Sequence, residues 1–267
     1  PSIQALGKNS LSTAHFMGVG FGIVLSSILV SVLGSFEFAW SYLWLGVTIL
    51  ALFLAIPVFI FTPNPIVKNE TDKKFNTSTR LGFNLITFSY GLYGFGYVVL
   101  GTFISTMARD TSGLESTEAY VWLLVGLAGI PMVIFWPWFG KKIGNDLALF
   151  LACLIMGIGI LMPVIVDHKL GIIFAAILLG GTFIPITALA FLEGQSRYKG
   201  SIIVSTAILT SSFSIGQMIG PYFGGIIIDL FSSYDVALTI SSISLLFAAI
   251  LMIHPNRFSS TKFINTP

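Results

Sequence analysis

Eight long stretches without charge constrain this chain more than any other feature. None of the 13 Lys and Arg residues and none of the 11 Asp and Glu residues falls inside them. The stretches are 16–33, 38–61, 81–108, 119–140, 147–166, 170–192, 201–228 and 236–253, each of 18 residues or more. A helix of that length crosses a hydrocarbon layer of about 30 Å. A soluble domain places charge on nearly every helix, so the pattern predicts a membrane protein.

Helices fit these stretches better than the strands of a membrane barrel. A barrel strand needs only about 10 residues and alternates in polarity, and these stretches do neither. Hydrophobic residues make up 55% of the chain and charged residues 9%, whereas a soluble domain carries roughly 25% charged residues. We therefore predict an all-α polytopic membrane protein with eight transmembrane helices.

The composition also weakens several function classes. The net charge is only +2 and the basic residues are spread among connections, so we expect no nucleic-acid partner. Cys153, the one cysteine, is expected to be a small buried core residue, and with three scattered His residues it supplies no metal site. The phosphate-binding sequence Gly-x-x-x-x-Gly-Lys-Ser/Thr does not occur, which argues against a nucleotide-driven pump. We expect no cofactor.

The basic residues predict the orientation. With a cytoplasmic N-terminus, eleven of the 13 fall on the cytoplasmic side, and only Arg109 and Lys169 lie outside. The cytoplasmic set is Lys8, Lys68, Lys73, Lys74, Arg80, Lys141, Lys142, Arg197, Lys199, Arg257 and Lys262. The positive-inside rule then places both termini in the cytoplasm, and we expect a bacterial inner (plasma) membrane protein.

The connections divide the chain into two helices and six helices. Residues 62–79 form the longest connection, which is polar, and this predicts a cytoplasmic linker between a helix pair in 1–61 and a six-helix bundle in 80–267. The chain begins Pro-Ser-Ile without Met, which favours a fragment of a longer protein.

Two short motifs stand at defined places in this pattern. Segment 216–225, on the seventh stretch, reads Gly-Gln-Met-Ile-Gly-Pro-Tyr-Phe-Gly-Gly and matches Gly-x-x-x-Gly-Pro-x-x-Gly-Gly at every fixed position. Segment 140–144, on a predicted cytoplasmic turn, reads Gly-Lys-Lys-Ile-Gly and is similar to Gly-x-x-x-Asp-Arg-x-Gly-Arg-Arg without its acid and most of its arginines. The matching residues are Gly216, Gly220, Pro221, Gly224 and Gly225 in the first, and Gly140, Lys141, Lys142 and Gly144 in the second.

The motifs and the linker resemble the major facilitator superfamily. Segments 15–23 and 90–97 look most like its YbfB/YjiJ group. The resemblance implies that 1–61 holds the last two helices of an N-terminal bundle and 80–267 the complete C-terminal bundle. It implies no enzyme but a monomeric secondary active transporter that moves a small organic solute through the lipid bilayer by alternating access. Ion coupling is expected, with protons as one candidate ion and efflux as one candidate direction.

Polar residues at mid-span suggest a substrate cavity. The three tyrosines of the third stretch lie on one helix side at i, i+3 and i+7. The sixth stretch is interrupted by two adjacent glycines and a proline, as helices at transporter binding sites often are. On the seventh stretch, two threonines and a glutamine form a polar stripe. The candidate cavity residues are Tyr90, Tyr93, Tyr97, Thr182, Pro185, Thr206, Thr210 and Gln217. Hydrogen bonds between helices are the alternative role for these side chains.

Other expectations concern packing and charge. Gly216, Gly220 and Gly224 follow i, i+4, i+8 and form a flat ridge, which suits either a moving contact or static packing. Glu193 and Arg197 are one turn apart and predict an ion pair worth only about 0.2–0.5 kcal/mol. Since no charge falls inside the eight stretches, a proton-titrating group is expected on helices outside them. A membrane-embedded enzyme, and a channel or structural subunit without a transport cycle, are the alternative functions.

Overall fold

The computed structural model describes residues 9–61, 80–113, 118–166, 168–198 and 200–253, and this part of the chain contains eight long α-helices. In chain order they are α1 (Asn9–Ser35), α2 (Trp40–Phe61), α3 (Arg80–Asp110), α4 (Glu118–Ile143), α5 (Asn145–Ile165), α6 (His168–Arg197), α7 (Ile202–Phe231) and α8 (Tyr234–Met252). Each helix contains a stretch long and apolar enough to cross a membrane. The predicted fold class and the eight spans are confirmed.

The helices extend past the uncharged stretches that predicted them. α6, for example, continues to Arg197, because a helix that leaves the hydrocarbon layer can carry charge on its last turn. A single residue, Gly144, separates α4 from α5, and its φ of 100° lies in a region that side-chain-bearing residues rarely adopt. The Lys142 ammonium lies 3.9 Å from the centre of the Trp138 ring. Segment 140–144 therefore comprises the last turn of α4 and one turn residue.

Helices α3 to α8 form one bundle. α3 packs against α6, α7 and α8, while α6 packs against α4 and α5, and α5 packs against α8. Many of the largest fully buried side chains come from α3, α5 and α6, among them Leu100, Leu149 and Ile186. Cys153 is fully buried, as expected, and its sulfur lies 3.3 Å from the sulfur of Met252.

Helix α1 packs along α4, and α2 packs along α1. Small residues make the first contact close: a Cβ on Gly20 would lie 2.9 Å from the Ile130 side chain, and a Cβ on Gly126 would lie 3.1 Å from the Gly20 carbonyl. Such close approach drives helix association in lipid, where the hydrophobic effect between helices is absent. None of the 22 residues of α2 is buried. The predicted linker 62–79 lies outside the described residues.

The predicted Glu193–Arg197 ion pair is present, and it lies buried rather than in solvent. Arg197 Nε donates to Glu193 Oε1 at 2.9 Å, with the two side chains 1% and 10% exposed. The Arg197 guanidinium also donates to the Met252 carbonyl of α8 at 2.6 Å and to the Gly82 carbonyl of α3 at 3.4 Å. Because the last turn of α6 ends between α3 and α8, the side chain is shielded from water and ties three helix ends together.

Candidate functional site

A ridge of glycines on α7 brings this helix against α3. The residues that meet are Gly91 with Gly216, Phe95 with Gly220, and Val99 with Gly224. Because the pairs follow the same order on both helices, α3 and α7 run parallel. A Cβ on Gly216 would collide with the Gly91 carbonyl, so only glycine allows this backbone contact. The predicted ridge therefore packs against α3, within the six-helix bundle.

The three tyrosines of α3 form an aromatic column with Phe213 of α7. Ring centroids lie 5.5 Å apart for Tyr90 and Tyr93, and 5.1 Å apart for Tyr93 and Tyr97. The Phe213 ring stacks nearly parallel to Tyr90 at 5.0 Å and to Tyr97 at 5.6 Å. Phe183 of α6 also stacks on Tyr97, at 6.2 Å. Tyr90 and Tyr93 are buried and Tyr97 is partly exposed, so the column opens at Tyr97.

Two hydrogen bonds link the column to the neighbouring helices. Gln217 Nε2 of α7 donates to the Tyr97 hydroxyl at 2.7 Å. The Tyr93 hydroxyl donates to the Phe183 carbonyl of α6 at 2.8 Å, and the Thr187 hydroxyl donates to the same carbonyl at 3.3 Å. These bonds satisfy polar groups far from either helix end, where an unpaired group in a low-dielectric interior would be costly.

The Tyr97–Gln217 pair lies at the middle of both helices. α3 has 31 residues and α7 has 30, and each of the two side chains stands near the centre of its helix. Both residues are partly exposed. None of the side chains in the column or bonded to it is a carboxylate or a basic group. The arrangement is a neutral, aromatic and amide-bearing surface at mid-depth.

A proline break in α6 lies beside this column. Pro185 is buried and has no backbone N–H, so the carbonyl four residues earlier, that of Gly181, loses its helical donor. The Trp136 indole of α4 donates to this carbonyl at 3.0 Å. α6 is continuous from His168 to Arg197, so the predicted interruption amounts to one missing backbone hydrogen bond next to Phe183, whose carbonyl binds Tyr93.

Three predicted cavity residues lie apart from the column. Thr182 is buried and its hydroxyl donates to a carbonyl of its own helix at 2.6 Å. Thr206 accepts a hydrogen bond from Gln195 of α6 at 3.3 Å. Thr206 lies about 16 Å from Gln217 along α7. Thr210 is exposed. The structure brings together the three tyrosines and Gln217, with Pro185 two residues after Phe183 on α6, but it does not place these threonines in the column.

Three residues of the site carry no prediction from sequence. Phe213 stands four residues before Gln217, so it shares the polar side of α7, and this spacing is the signal that could have found it. A Cβ on Gly94 would collide with the Phe213 carbonyl, which explains how closely Phe213 approaches α3. Phe183 and Trp136 have no comparable signal, because their roles depend on how α4 and α6 pack.

The turn motif lies at the junction of α4 and α5. A Cβ on Gly140 would lie 2.7 Å from Asn145 Oδ1 and 3.4 Å from the Ala148 side chain, so Gly140 lets the two helix ends pack closely. Lys141 is exposed, and Gly144 supplies the left-handed turn. The structure thus gives both glycines of this motif a backbone role.

A family model described as "Uncharacterised MFS-type transporter YbfB" matches residues 1–253. The chain belongs to this family of major facilitator transporters. The resemblance expected from the sequence is confirmed, and no curated protein matches the chain. Together with the eight apolar helices, membership shows an integral membrane protein and a transporter. The family implies transport and not catalysis.

Proposed function

We propose that this MFS-type transporter is a secondary active carrier that moves a small, uncharged organic solute by alternating access. The observation that carries the proposal is the Tyr97–Gln217 pair, which is partly exposed at mid-depth between α3 and α7. A solute site near the membrane midplane is what alternating access requires, since both faces must reach it in turn.

The chemistry of the pair favours a neutral solute with a flat apolar part. The Gln217 amide can donate and accept, and the Tyr97 hydroxyl can do the same. The neighbouring rings of Phe183 and Phe213 offer faces on which an aromatic or otherwise planar group can stack. A charged solute would need a counter-charge, and none of the side chains in the column or bonded to it supplies one.

We further propose that the solute moves outward in exchange for protons. No Asp or Glu lies in the eight uncharged stretches, so we place the proton-binding group outside these stretches. Both termini are proposed to lie in the cytoplasm of a bacterial inner membrane, with eleven of the 13 basic residues on that side. The working unit is proposed to be a monomer.

The domain division is also a proposal. We assign α1 and α2 to the end of an N-terminal bundle, residues 62–79 to a cytoplasmic linker, and 80–267 to the C-terminal bundle. The contact between α1 and α4 through Gly20 and Gly126 supports this division, because a close glycine contact is suited to two bundles that slide on each other. The exposed length of α2 supports it as well.

Replacing Gln217 by leucine is expected to reduce transport while the protein still inserts. Gln217→Leu keeps a side chain of similar size but removes the amide that donates to Tyr97. A bound solute then loses its hydrogen bond to this amide, worth about 1 kcal/mol or about fivefold in apparent affinity. The measurement is accumulation of neutral aromatic compounds by cells expressing the complete protein, with and without a collapsed proton gradient.

Thr210→Val on the same helix is the matched control, because Thr210 is exposed and lies apart from the column. It should leave the transport rate unchanged. Equal transport by Gln217→Leu and the wild-type protein would show that Gln217 does not bind the solute. In a different outcome, solute flux continues unchanged after all ion gradients are removed and follows only the concentration difference of the solute. That result would support the channel alternative.

A further inference from the structure

The break at Pro185 leaves a backbone acceptor that the helix itself cannot satisfy. In an uninterrupted helix the Gly181 carbonyl would accept from the N–H of residue 185, and proline has none. An unpaired carbonyl inside a membrane protein costs as much as a lost hydrogen bond or more. In membrane helices such a carbonyl is satisfied by a neighbouring helix, a Ser or Thr side chain, water or a local adjustment of the helix.

Here Trp136 of α4 supplies the donor. Its indole Nε1 lies 3.0 Å from the Gly181 oxygen, and the side chain is 4% exposed. In the part of the chain that the structure describes, no side chain donates to the carbonyls four residues before Pro163 or Pro221. The bond at Pro185 places a specific side chain of α4 where a backbone N–H is missing.

Glycines in both helices make this reach possible. A Cβ on Gly180 would collide with the Val125 carbonyl of α4, and a Cβ on Gly129 would lie 3.2 Å from the Gly180 carbonyl. The backbones of α4 and α6 therefore touch just before the break. Trp136 lies two turns after Gly129 on α4. At this separation of the two helices, its indole reaches the Gly181 carbonyl of α6.

The break is held from two sides. Gly181 and Phe183 are two residues apart, so their carbonyls leave α6 in directions roughly 200° apart around the helix axis. Trp136 of α4 binds the first carbonyl and Tyr93 of α3 binds the second, at 3.0 and 2.8 Å. The segment that carries Phe183 thereby sits between two donors from two helices.

We propose that Trp136 is a positioning residue: its indole N–H replaces the backbone donor that Pro185 removes, and so fixes the α6 segment that presents the Phe183 carbonyl to Tyr93. This inference goes beyond the proposed transport function. It holds whatever solute the protein carries, and its test uses no solute.

The test is a double-mutant cycle with Trp136→Phe and Pro185→Ala in the complete protein in lipid nanodiscs. Trp136→Phe keeps an aromatic ring and removes the N–H, and should raise the equilibrium constant of unfolding about tenfold. In the Pro185→Ala background the alanine N–H can bond to Gly181, so the same Trp136→Phe change should cost about twofold or less. Equal costs in the two backgrounds would overturn the proposal.

Trp138→Phe is the matched control, since Trp138 is exposed and its ring lies under Lys142. Its effect should be the same in the wild-type and Pro185→Ala backgrounds. A coupling as large as that of Trp136 would mean that the cycle reports a general change in α4, and it would overturn the proposal.

A spectroscopic measurement covers the case in which Trp136→Phe does not fold. In nitrogen-15 spectra of protein labelled at tryptophan, one indole N–H signal should resist hydrogen exchange in the wild type and move and exchange faster in Pro185→Ala, where the helix competes for Gly181. Spectra in which Pro185→Ala moves none of the indole signals would overturn the proposal.

Discussion

Replacing Gly216 by leucine is expected to abolish transport and to destabilise the protein by about 3 kcal/mol. Even a Cβ at this position collides with the Gly91 carbonyl, and the next contact, at 2.7 Å, is the backbone nitrogen of Phe95. Both obstacles are backbone atoms, so no side-chain rotation relieves the overlap. The helices must separate, and Gln217 then moves away from Tyr97. Thermal unfolding in nanodiscs and transport in cells measure the two effects.

Gly225→Leu is the matched control for this variant. Gly225 belongs to the same ten-residue motif and the same helix, but a Cβ there meets no atom within 4 Å among the described residues. It should change stability by no more than about 0.5 kcal/mol and leave transport intact. If the two variants lose stability equally, the α3–α7 contact does not explain why this motif carries glycines.

Replacing Arg197 by methionine is expected to cost about 3–5 kcal/mol, because Glu193 is then left buried without its partner. The Met252 carbonyl also loses a donor at 2.6 Å, which frees the end of α8. The double variant with Glu193→Leu and Arg197→Met removes both charges and should recover part of this stability. Unfolding midpoints in nanodiscs provide the comparison.

Lys141→Met is the control for the loss of one cation, since Lys141 is exposed at the end of α4. It should shift the unfolding midpoint little. A double variant less stable than Arg197→Met alone would show that the unpaired Glu193 is not the source of the cost. In that case the bonds from Arg197 to the carbonyls of α3 and α8 would carry the stability.

The fold could be predicted because exclusion of charge is a local property of each stretch. Counting residues between charges was enough to find all eight helices, although not their ends, since helices continue past the hydrocarbon layer. Counting from the charged boundaries put the tyrosines of α3 and Gln217 at mid-depth, but it favoured Tyr93 rather than Tyr97 as the partner of Gln217. The bond between Tyr97 and Gln217 depends on the glycine contact between α3 and α7. No pattern in the sequence indicates that the glycines of α7 pack against α3.

The remaining features depend on how distant helix ends meet. The burial of Arg197 follows from the position of Met252, 55 residues later, and Thr182 was assigned to the cavity although its hydroxyl bonds to its own helix. Trp136 gave no signal because tryptophans in membrane helices are common and its partner is a backbone carbonyl. The sequence shows which groups need partners, such as the carbonyl before Pro185, but packing decides which side chain provides them.

Accessibility of one mid-depth thiol from both faces of the membrane tests the central claim most directly. On a Cys153→Ala background, Gln217→Cys in sealed vesicles is treated with a membrane-impermeant thiol reagent from one face at a time. Lys141→Cys and Asp229→Cys, both at exposed helix ends, report which face is which. Alternating access predicts that the thiol introduced by Gln217→Cys reacts from either face, and that adding Gly216→Leu restricts the reaction to one face or abolishes it. Reaction from one face only without Gly216→Leu, or from neither, would contradict the account.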